Sequence, residues 1–120
     1  MKEYTIIGID LAKTKFHLAA LNEENKVVFK CKISREDFIQ KLDSMFAAGQ
    51  SFAFEACAGA HNIGQILTEA GHKVIALKAK DVKAYAKSRQ KNDINDAIAI
   101  CKAALDPNLK QVTLKTKEEQ

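Results

Sequence analysis

Two apolar strand patterns in this chain each carry one acidic residue. Asp10 lies near the end of I-I-G-I-D-L, and Glu55 lies within F-A-F-E-A. A carboxylate in an otherwise apolar strand loses its hydration when it is buried, so it usually has a charged partner or a metal ion. The two patterns therefore predict strands that are covered on both faces. Each of these strands contains a carboxylate that needs a charged partner or a metal ion.

The order of strand and helix patterns predicts the fold class. Residues 4–11 are apolar on both faces, as in a central strand, whereas residues 26–33 alternate with outward lysines, as in an edge strand. Later strand patterns alternate with helical stripes, which favours parallel pairing. The predicted elements are strands at 4–11, 16–21, 26–33, 51–57 and 73–77, and helices from Ser34 to Gly49, before Gly71, at 80–87 and at 93–105.

This order, three antiparallel strands followed by βα units, is that of a ribonuclease-H-like α/β domain. It predicts a five-stranded mixed sheet in the order 3-2-1-4-5 with helices on both faces. In such a sheet the first and fourth strands are neighbours, so Asp10 and Glu55 are expected to lie side by side.

The last predicted helix carries two more acids. Asp93 and Asp96 are three residues apart, so they share a helix face, and that face borders the predicted core stripe of Ile94, Ala97, Ile98, Cys101 and Leu105. Helix capping is the alternative explanation for this pair, because Asp is favourable near a helix N-terminus. An acid at a strand end, such as Asp10, can also be a turn residue.

Four acids that converge would repel one another unless divalent cations held them together. Two hard cations about 4 Å apart can clamp the attacking and leaving oxygens of a phosphodiester. The candidate metal ligands and catalytic residues are therefore Asp10, Glu55, Asp93 and Asp96, with Mg²⁺ or Mn²⁺ as the metal.

A basic segment leads into the second pair of acids. Residues 73–91 hold seven basic residues and one acid, while the whole chain has a net charge of +4. A concentrated basic patch favours a nucleic-acid partner, and a solvated helix face is the alternative. The candidate nucleic-acid contacts are Lys13, after the first strand, and Lys80, Lys83, Lys87, Arg89 and Lys91.

Composition argues against several other classes of protein. The three cysteines have no C-x-x-C or Cys/His ligand spacing, so we expect reduced core thiols of a cytoplasmic protein and no structural zinc. The chain has no apolar run of about 18 residues and no signal-peptide pattern, so we expect no membrane role.

With these residues in place, the chain resembles the N-terminal domain of DEDD-type insertion-sequence transposases, which are similar to RuvC-like Holliday-junction resolvases. The resemblance covers essentially all 120 residues. It rests on G-I-D-L-A-K (8–13), F-E-A-C-A-G-A-H (54–61), G-H-K-V (71–74), K-S-R-Q-K-N-D-I-N-D-A-I-A-I-C-K-A-A (87–104) and V-T-L-K-T-K-E-E-Q (112–120).

The resemblance implies that Asp10, Glu55, Asp93 and Asp96 form the DEDD tetrad, that two Mg²⁺ or Mn²⁺ ions assist DNA strand cleavage and transfer, and that the full-length protein forms homo-oligomers. Some family members use a guide RNA. It also implies a fragment: residues 1–108 as the RuvC-like catalytic domain and 109–120 as the start of a linker to an absent C-terminal domain with a serine. The expected location is the bacterial cytoplasm, acting at the nucleoid.

Two other functions remain open from the residues alone. An actin-like or sugar-kinase-like phosphotransferase shares the early strands, but its first hairpin normally has a Gly-rich phosphate turn, and L-A-K-T-K lacks glycine. A nucleic-acid-binding module without an active site would bind DNA equally well with EDTA or Mg²⁺.

Overall fold

The computed structural model describes residues 3–12, 14–57, 59–86 and 93–112, without the side chains of residues 93 and 94. Strands and helices follow one another in the predicted order. The elements are β1 (Ile6–Leu11), β2 (Lys15–Leu21), β3 (Val27–Ser34), α1 (Arg35–Met45), β4 (Ser51–Glu55), α2 (Ala60–Glu69), β5 (Lys73–Leu77), α3 (Ala79–Lys83) and α4 (Asp93–Ala104).

The strands form one mixed sheet in the order β3-β2-β1-β4-β5, which confirms the predicted topology. β2 pairs antiparallel with β1 and β3, and β4 pairs parallel with β1 and β5. The parallel pairs follow from the helical crossovers, because a strand that returns through a helix re-enters the sheet in the same direction. β1 therefore lies at the centre, as its two apolar faces predicted.

Aromatic side chains fill the face of the sheet under α1 and α2. Phe52 of β4 is fully buried there, with ring centroids 5.2 Å from Phe46 and 6.2 Å from Phe38. Edge-to-face arrangements at such distances stabilise a core beyond the effect of its buried area. The face that this cluster occupies is the one built from Ile7 and Ile9 of β1.

Aliphatic side chains, several of them alanines, fill most of the opposite face, under α3 and α4. Ile6 of β1 and Ala53 of β4 pack there with Ala97 and Cys101 of α4. Helices thus cover both faces, as predicted. Because successive strand residues point to opposite faces, this division also fixes the face on which Asp10 and Glu55 lie.

Several element boundaries differ from the sequence prediction for local reasons. Ser34 caps α1 as expected, its hydroxyl accepting a hydrogen bond from the Asp37 amide at 3.1 Å. The helix ends at Met45, before Gly49, because Phe46 is already extended with φ −129°. β1 begins at Ile6, after Tyr4, whose amide donates to Gln50 Oε1 at 2.7 Å. The predicted helix at 80–87 is the short α3.

The core stripe of α4 differs from the predicted one. Ala97 and Cys101 are buried as expected, but Leu105 is 38% exposed because it follows the last helical residue, Ala104. Ala99, Ile100 and Ala103 are buried in its place, so α4 is covered over more of its circumference than a single stripe implies. No helix in the described part of the chain is long and apolar enough to cross a membrane.

The described chain ends beside the β5 edge of the sheet. The Val112 amide donates to the Ala76 carbonyl at 2.7 Å, which forms an antiparallel bridge to β5. Residues 113–120 lie outside the described ranges. This contact places Val112 beside the edge strand β5, so the chain returns to the sheet after α4 ends.

Candidate active site

The parallel pairing of β1 and β4 brings the first two acids together. Gly8 is opposite Ala53, and the same register continued by two residues places Asp10 opposite Glu55. Both acids lie on the α4 face, because Ala53, two residues before Glu55, packs in the α4 core. Both are half-buried. The two carboxylates therefore share one face at the carboxyl ends of adjacent parallel strands.

Gly8 allows α4 to cross β1 directly above the sheet. A Cβ atom at position 8 would lie 2.8 Å from Cys101 Sγ and would overlap the Ala97 carbonyl oxygen. Only glycine leaves room for the helix backbone at this distance. Ala97 lies against Gly8, and Asp96 is the residue before Ala97. The close approach therefore brings the first turns of α4 near the carboxyl ends of β1 and β4, where Asp10 and Glu55 lie.

The electrostatics of Glu55 link β4 to α4. Burial and the negative charge of Asp96 raise the pKa of Glu55 above its usual value, and the positive charge of Lys83 acts in the opposite direction. A carboxylate whose negative charge raises the pKa of Glu55 lies close enough to repel it. Asp96 and Lys83 therefore belong to the surroundings of Glu55.

Cys57 lies beside the same acids. Burial and the charges of Glu55 and Asp10 raise the pKa of its thiol. Cys57 is nevertheless exposed and Cys31 is half-buried, so of the three expected core thiols only Cys101 is in the core. The prediction was wrong for Cys57 because β4 ends at Glu55, so the residues that follow leave the covered sheet.

Several predicted residues lie outside the described ranges. The Asp93 backbone begins α4, but its side chain is not described, and Lys13, Lys87, Arg89 and Lys91 fall in the gaps. Lys80 and Lys83 are exposed on α3. The structure thus brings Asp10, Glu55, Asp96 and Lys83 to one region, and the contribution of Asp93 stays a prediction.

The donor set of this region fits a hard divalent cation. Carboxylate oxygens are the ligands that Mg²⁺ and Mn²⁺ prefer, and the mutual repulsion at Glu55 is what a cation relieves. Among the side chains that the structure describes, no three of the types His, Cys, Asp and Glu stand close enough to hold a metal ion. Those side chains include Asp10, Glu55 and Asp96 but not Asp93, the fourth acid of the predicted tetrad.

Sequence reasoning missed the role of Gly8 and did not connect Lys83, a predicted nucleic-acid contact, with Glu55. The pattern of the first strand includes Gly8 without assigning it a separate role. A glycine in the middle of an apolar strand often indicates the close approach of another backbone. The charge pattern groups Lys83 with the other lysines of the basic segment. Its action on Glu55 depends on how α3 packs, and Val82, buried in the α4 core, anchors that packing.

Comparison with known proteins gives a consistent result. A family model for transposases of the DEDD type, named after IS110, matches residues 7–120. The transposase for insertion sequence element IS1328 of Yersinia enterocolitica is 34% identical over 120 residues, which is all of this chain and 35% of that protein. A probable family 20 transposase of Pseudomonas aeruginosa is 36% identical over 117 residues, covering 95% of this chain and 33% of that protein. The chain spans about a third of the length of the curated relatives it matches.

A solved structure shares the fold. Thermus thermophilus RuvC superposes with a TM-score of 0.62 at 13% identity, covering 89% of this chain and 99% of the RuvC chain. The fold is therefore RuvC-like, within the ribonuclease-H-like class. With the family model matching nearly the whole length, the chain belongs to the DEDD transposases of insertion sequences.

Proposed function

We propose that this chain is the metal-binding catalytic domain of an insertion-sequence transposase and acts in DNA strand cleavage and transfer. The observation that carries the proposal is the strand register that places Asp10 opposite Glu55 at the carboxyl ends of β1 and β4, with the charge of Asp96 acting on Glu55. These are the acids that the family resemblance assigns to the tetrad. Asp93, three residues before Asp96 on α4, is proposed as the fourth.

The proposed ligands are Asp10, Glu55, Asp93 and Asp96, for two Mg²⁺ or Mn²⁺ ions. When bound, the metal supplies Lewis-acid stabilisation of the charge that develops on a phosphodiester and activation of its nucleophile. The chain's own contribution is position: a rigid strand pair holds Asp10 and Glu55, and α4, seated on Gly8, holds Asp96. Rigid elements keep acids that repel one another in place before the cation arrives.

Lys83 has a separate role in this proposal. Its charge lowers the proton affinity of Glu55, which favours the ionised carboxylate that a metal ligand needs. Because the ammonium group is exposed on α3, it also faces any phosphate that approaches the acids. We extend the proposed contacts with the DNA backbone to Lys80, Lys87, Arg89, Lys91 and Lys13, the last of which follows Asp10 by three residues in the sequence.

The proposal divides the protein in a specific way. Residues 1–108 form the catalytic domain, and residues 109–120 begin a linker to a further domain that supplies a second set of catalytic groups. DNA is the proposed substrate, a guide RNA is a candidate further partner, and the working form is a homo-oligomer. The curated relatives are longer than this chain, which covers about a third of their length.

Transposition by the full-length protein tests the proposal. Asp10→Asn keeps the size of the side chain and removes its charge, so we expect transposition to be lost. Asp43→Asn, at an exposed position on α1, is the matched control and should leave transposition at the wild-type level. Equal transposition by wild type and Asp10→Asn would refute the proposal, and DNA binding that is the same in EDTA and Mg²⁺ would favour a binding module instead.

A further inference from the structure

Three lysines of β2 and β3 lie on the same face of the sheet as the candidate acids. The pairing register runs across the sheet from Asp10 to His17 of β2 and on to Lys32 of β3, and the next row runs from Gly8 to Ala19 to Lys30. Paired residues point to the same face, and Ala19 packs in the α4 core. Lys30 and Lys32 therefore share the face of Asp10.

Lys15 extends this set along β2. It lies two residues before His17, so its side chain is on the same face, and it pairs with Ser34 of β3. All three lysines are exposed. Along a strand, residues two apart are separated by roughly 6.6 Å, and diagonal cross-strand neighbours by about 7–8 Å, so the three charges form one contiguous group. We call Lys15, Lys30 and Lys32 the lysine strip.

The strip and α3 lie on opposite sides of the acids. In the strand order β3-β2-β1-β4-β5, Asp10 and Glu55 occupy β1 and β4, the strip lies towards β3, and α3 follows β5. α4 packs over β1 and β2, and beyond it Lys30 and Lys32 are exposed at the edge. A negatively charged polymer that crosses the acids thus meets positive charge on both sides.

Protection of the sheet edge accounts for only part of this arrangement. Lysines on an edge strand hinder pairing with another chain, and this explains Lys30 and Lys32 of β3. Lys15 belongs to β2, an inner strand of the sheet, and pairs with Ser34 of β3, so protection of the sheet edge does not explain it. Phosphate binding accounts for all three lysines, and Lys32 lies in the cross-strand row that contains Asp10.

We propose that the lysine strip binds the phosphate backbone of duplex DNA on the β3 side of the acids. The inference rests on the proposed function, since the acids define what the DNA crosses. A duplex carries phosphate charge on a surface broad enough to span from β3 to α3. The lysine strip alone, or the lysines of α3 alone, would contact only a short stretch of the DNA backbone. Two flanking contacts set the position of the scissile phosphate, and neither has to read base sequence.

The test is binding of a fluorescein-labelled duplex of mixed sequence by the complete 120-residue chain in EDTA, followed by anisotropy over a salt series. The strip variant carries Lys15→Gln, Lys30→Gln and Lys32→Gln. The control variant carries Lys26→Gln, Lys41→Gln and Lys73→Gln, which remove the same charge from exposed positions. Lys26 precedes β3, Lys41 lies on α1, and Lys73 pairs with Ser51 at the far end of β4.

We expect the slope of log affinity against log salt to fall by about 0.9 for each phosphate that the variant no longer neutralises, so by up to roughly 2.7 in the strip variant, and to change little in the control. Equal slopes for the two variants would overturn the proposal, as would a wild-type chain that binds no duplex at low salt. Because EDTA removes the metal, these outcomes are independent of the Asp10→Asn result, and the strip can fail while the metal-site proposal stands.

Discussion

Gly8 of β1 lies so close to Cys101 of α4 that a Cβ atom at position 8 would be 2.8 Å from the cysteine Sγ and 3.2 Å from its backbone nitrogen. The Ala97 carbonyl oxygen lies on the same side of Gly8. This contact joins the central strand to the helix that carries Asp96. The geometry of the acidic region therefore depends on a position that bears no functional group.

Gly8→Ala should destabilise the domain. The added methyl group meets helix backbone, which cannot rotate away, so we expect the free energy of unfolding to fall by about 1–3 kcal/mol, the usual cost of overpacking. Urea denaturation followed by circular dichroism measures the change. Adding Cys101→Ala removes the Sγ contact but leaves the Ala97 carbonyl, so it should restore only part of the loss. A Gly8→Ala variant as stable as wild type would contradict the close approach.

Phe52→Ala should produce the larger loss expected of a fully buried ring. Phe52 lies among three aromatic neighbours, with the His72 ring centroid at 5.0 Å. Truncation of such a residue costs about 3–5 kcal/mol of unfolding free energy. Phe29→Ala is the matched control, because Phe29 is only half-buried on the edge strand, and its loss should be smaller. Equal losses of unfolding free energy in the two variants would contradict this ranking of Phe52 and Phe29 by burial.

His72 should make stability depend on pH below neutrality. Its Nδ1 accepts a hydrogen bond from the Gln50 amide at 3.0 Å, and burial lowers the pKa of the imidazole although Asp43 acts in the opposite direction. A histidine with a lowered pKa binds its proton more weakly in the folded state. Stability is therefore complete above the unfolded-state value of about 6.5 and declines as pH falls toward the folded-state pKa.

The size of this effect has an upper limit. One proton changes the free energy of unfolding by at most about 1.4 kcal/mol per pH unit. His72→Asn removes the titrating group, so the variant should lose this dependence, and it should also be less stable near pH 7, where the Gln50 amide loses its acceptor. Urea midpoints measured across the acid range make the comparison. An unchanged pH dependence in His72→Asn would contradict the assignment.

Tyr85 should hold the end of α3 to the end of α4. Its hydroxyl donates a hydrogen bond to Asp106 Oδ2, and this bond, with backbone hydrogen bonding at Asn108, lowers the pKa of Asp106. In Tyr85→Phe we expect the Asp106 pKa to rise toward its ordinary value and the amides of α3 to exchange faster with solvent. Carboxyl-carbon NMR titration and hydrogen exchange report the two effects. An Asp106 titration identical to wild type would contradict the contact.

Much of the fold follows from sequence periodicity. The two-faced apolar pattern of β1 predicted its central place, and β5 has the predicted bounds, Lys73–Leu77, because one turn at Gly71 precedes it and the chain enters α3 directly after it. Asp10 and Glu55 could be predicted as neighbours, since the strand order makes β1 and β4 adjacent and both acids lie near the carboxyl ends of those strands. These features depend on local pattern and topology.

Other features could not be predicted because they depend on packing between distant elements. The burial of Ala99, Ile100 and Ala103, where Leu105 was expected, follows from how α4 sits on Gly8. The exposure of Cys57 follows from the point at which β4 stops pairing. The action of Lys83 on Glu55 needs the three-dimensional path from β5 to α3. Periodicity within one segment contains none of this information.

Titration with Mn²⁺ tests the central claim most directly, because the paramagnetic ion broadens the NMR signals of nuclei close to it. We expect the signals of Asp10, Glu55, Asp93 and Asp96 to broaden together as Mn²⁺ is added, and the effect to be lost in Asp10→Asn and kept in the control Asp43→Asn. Broadening that reaches Asp10 and Glu55 but leaves Asp93 and Asp96 unaffected, or that is the same in Asp10→Asn, would contradict a shared metal site.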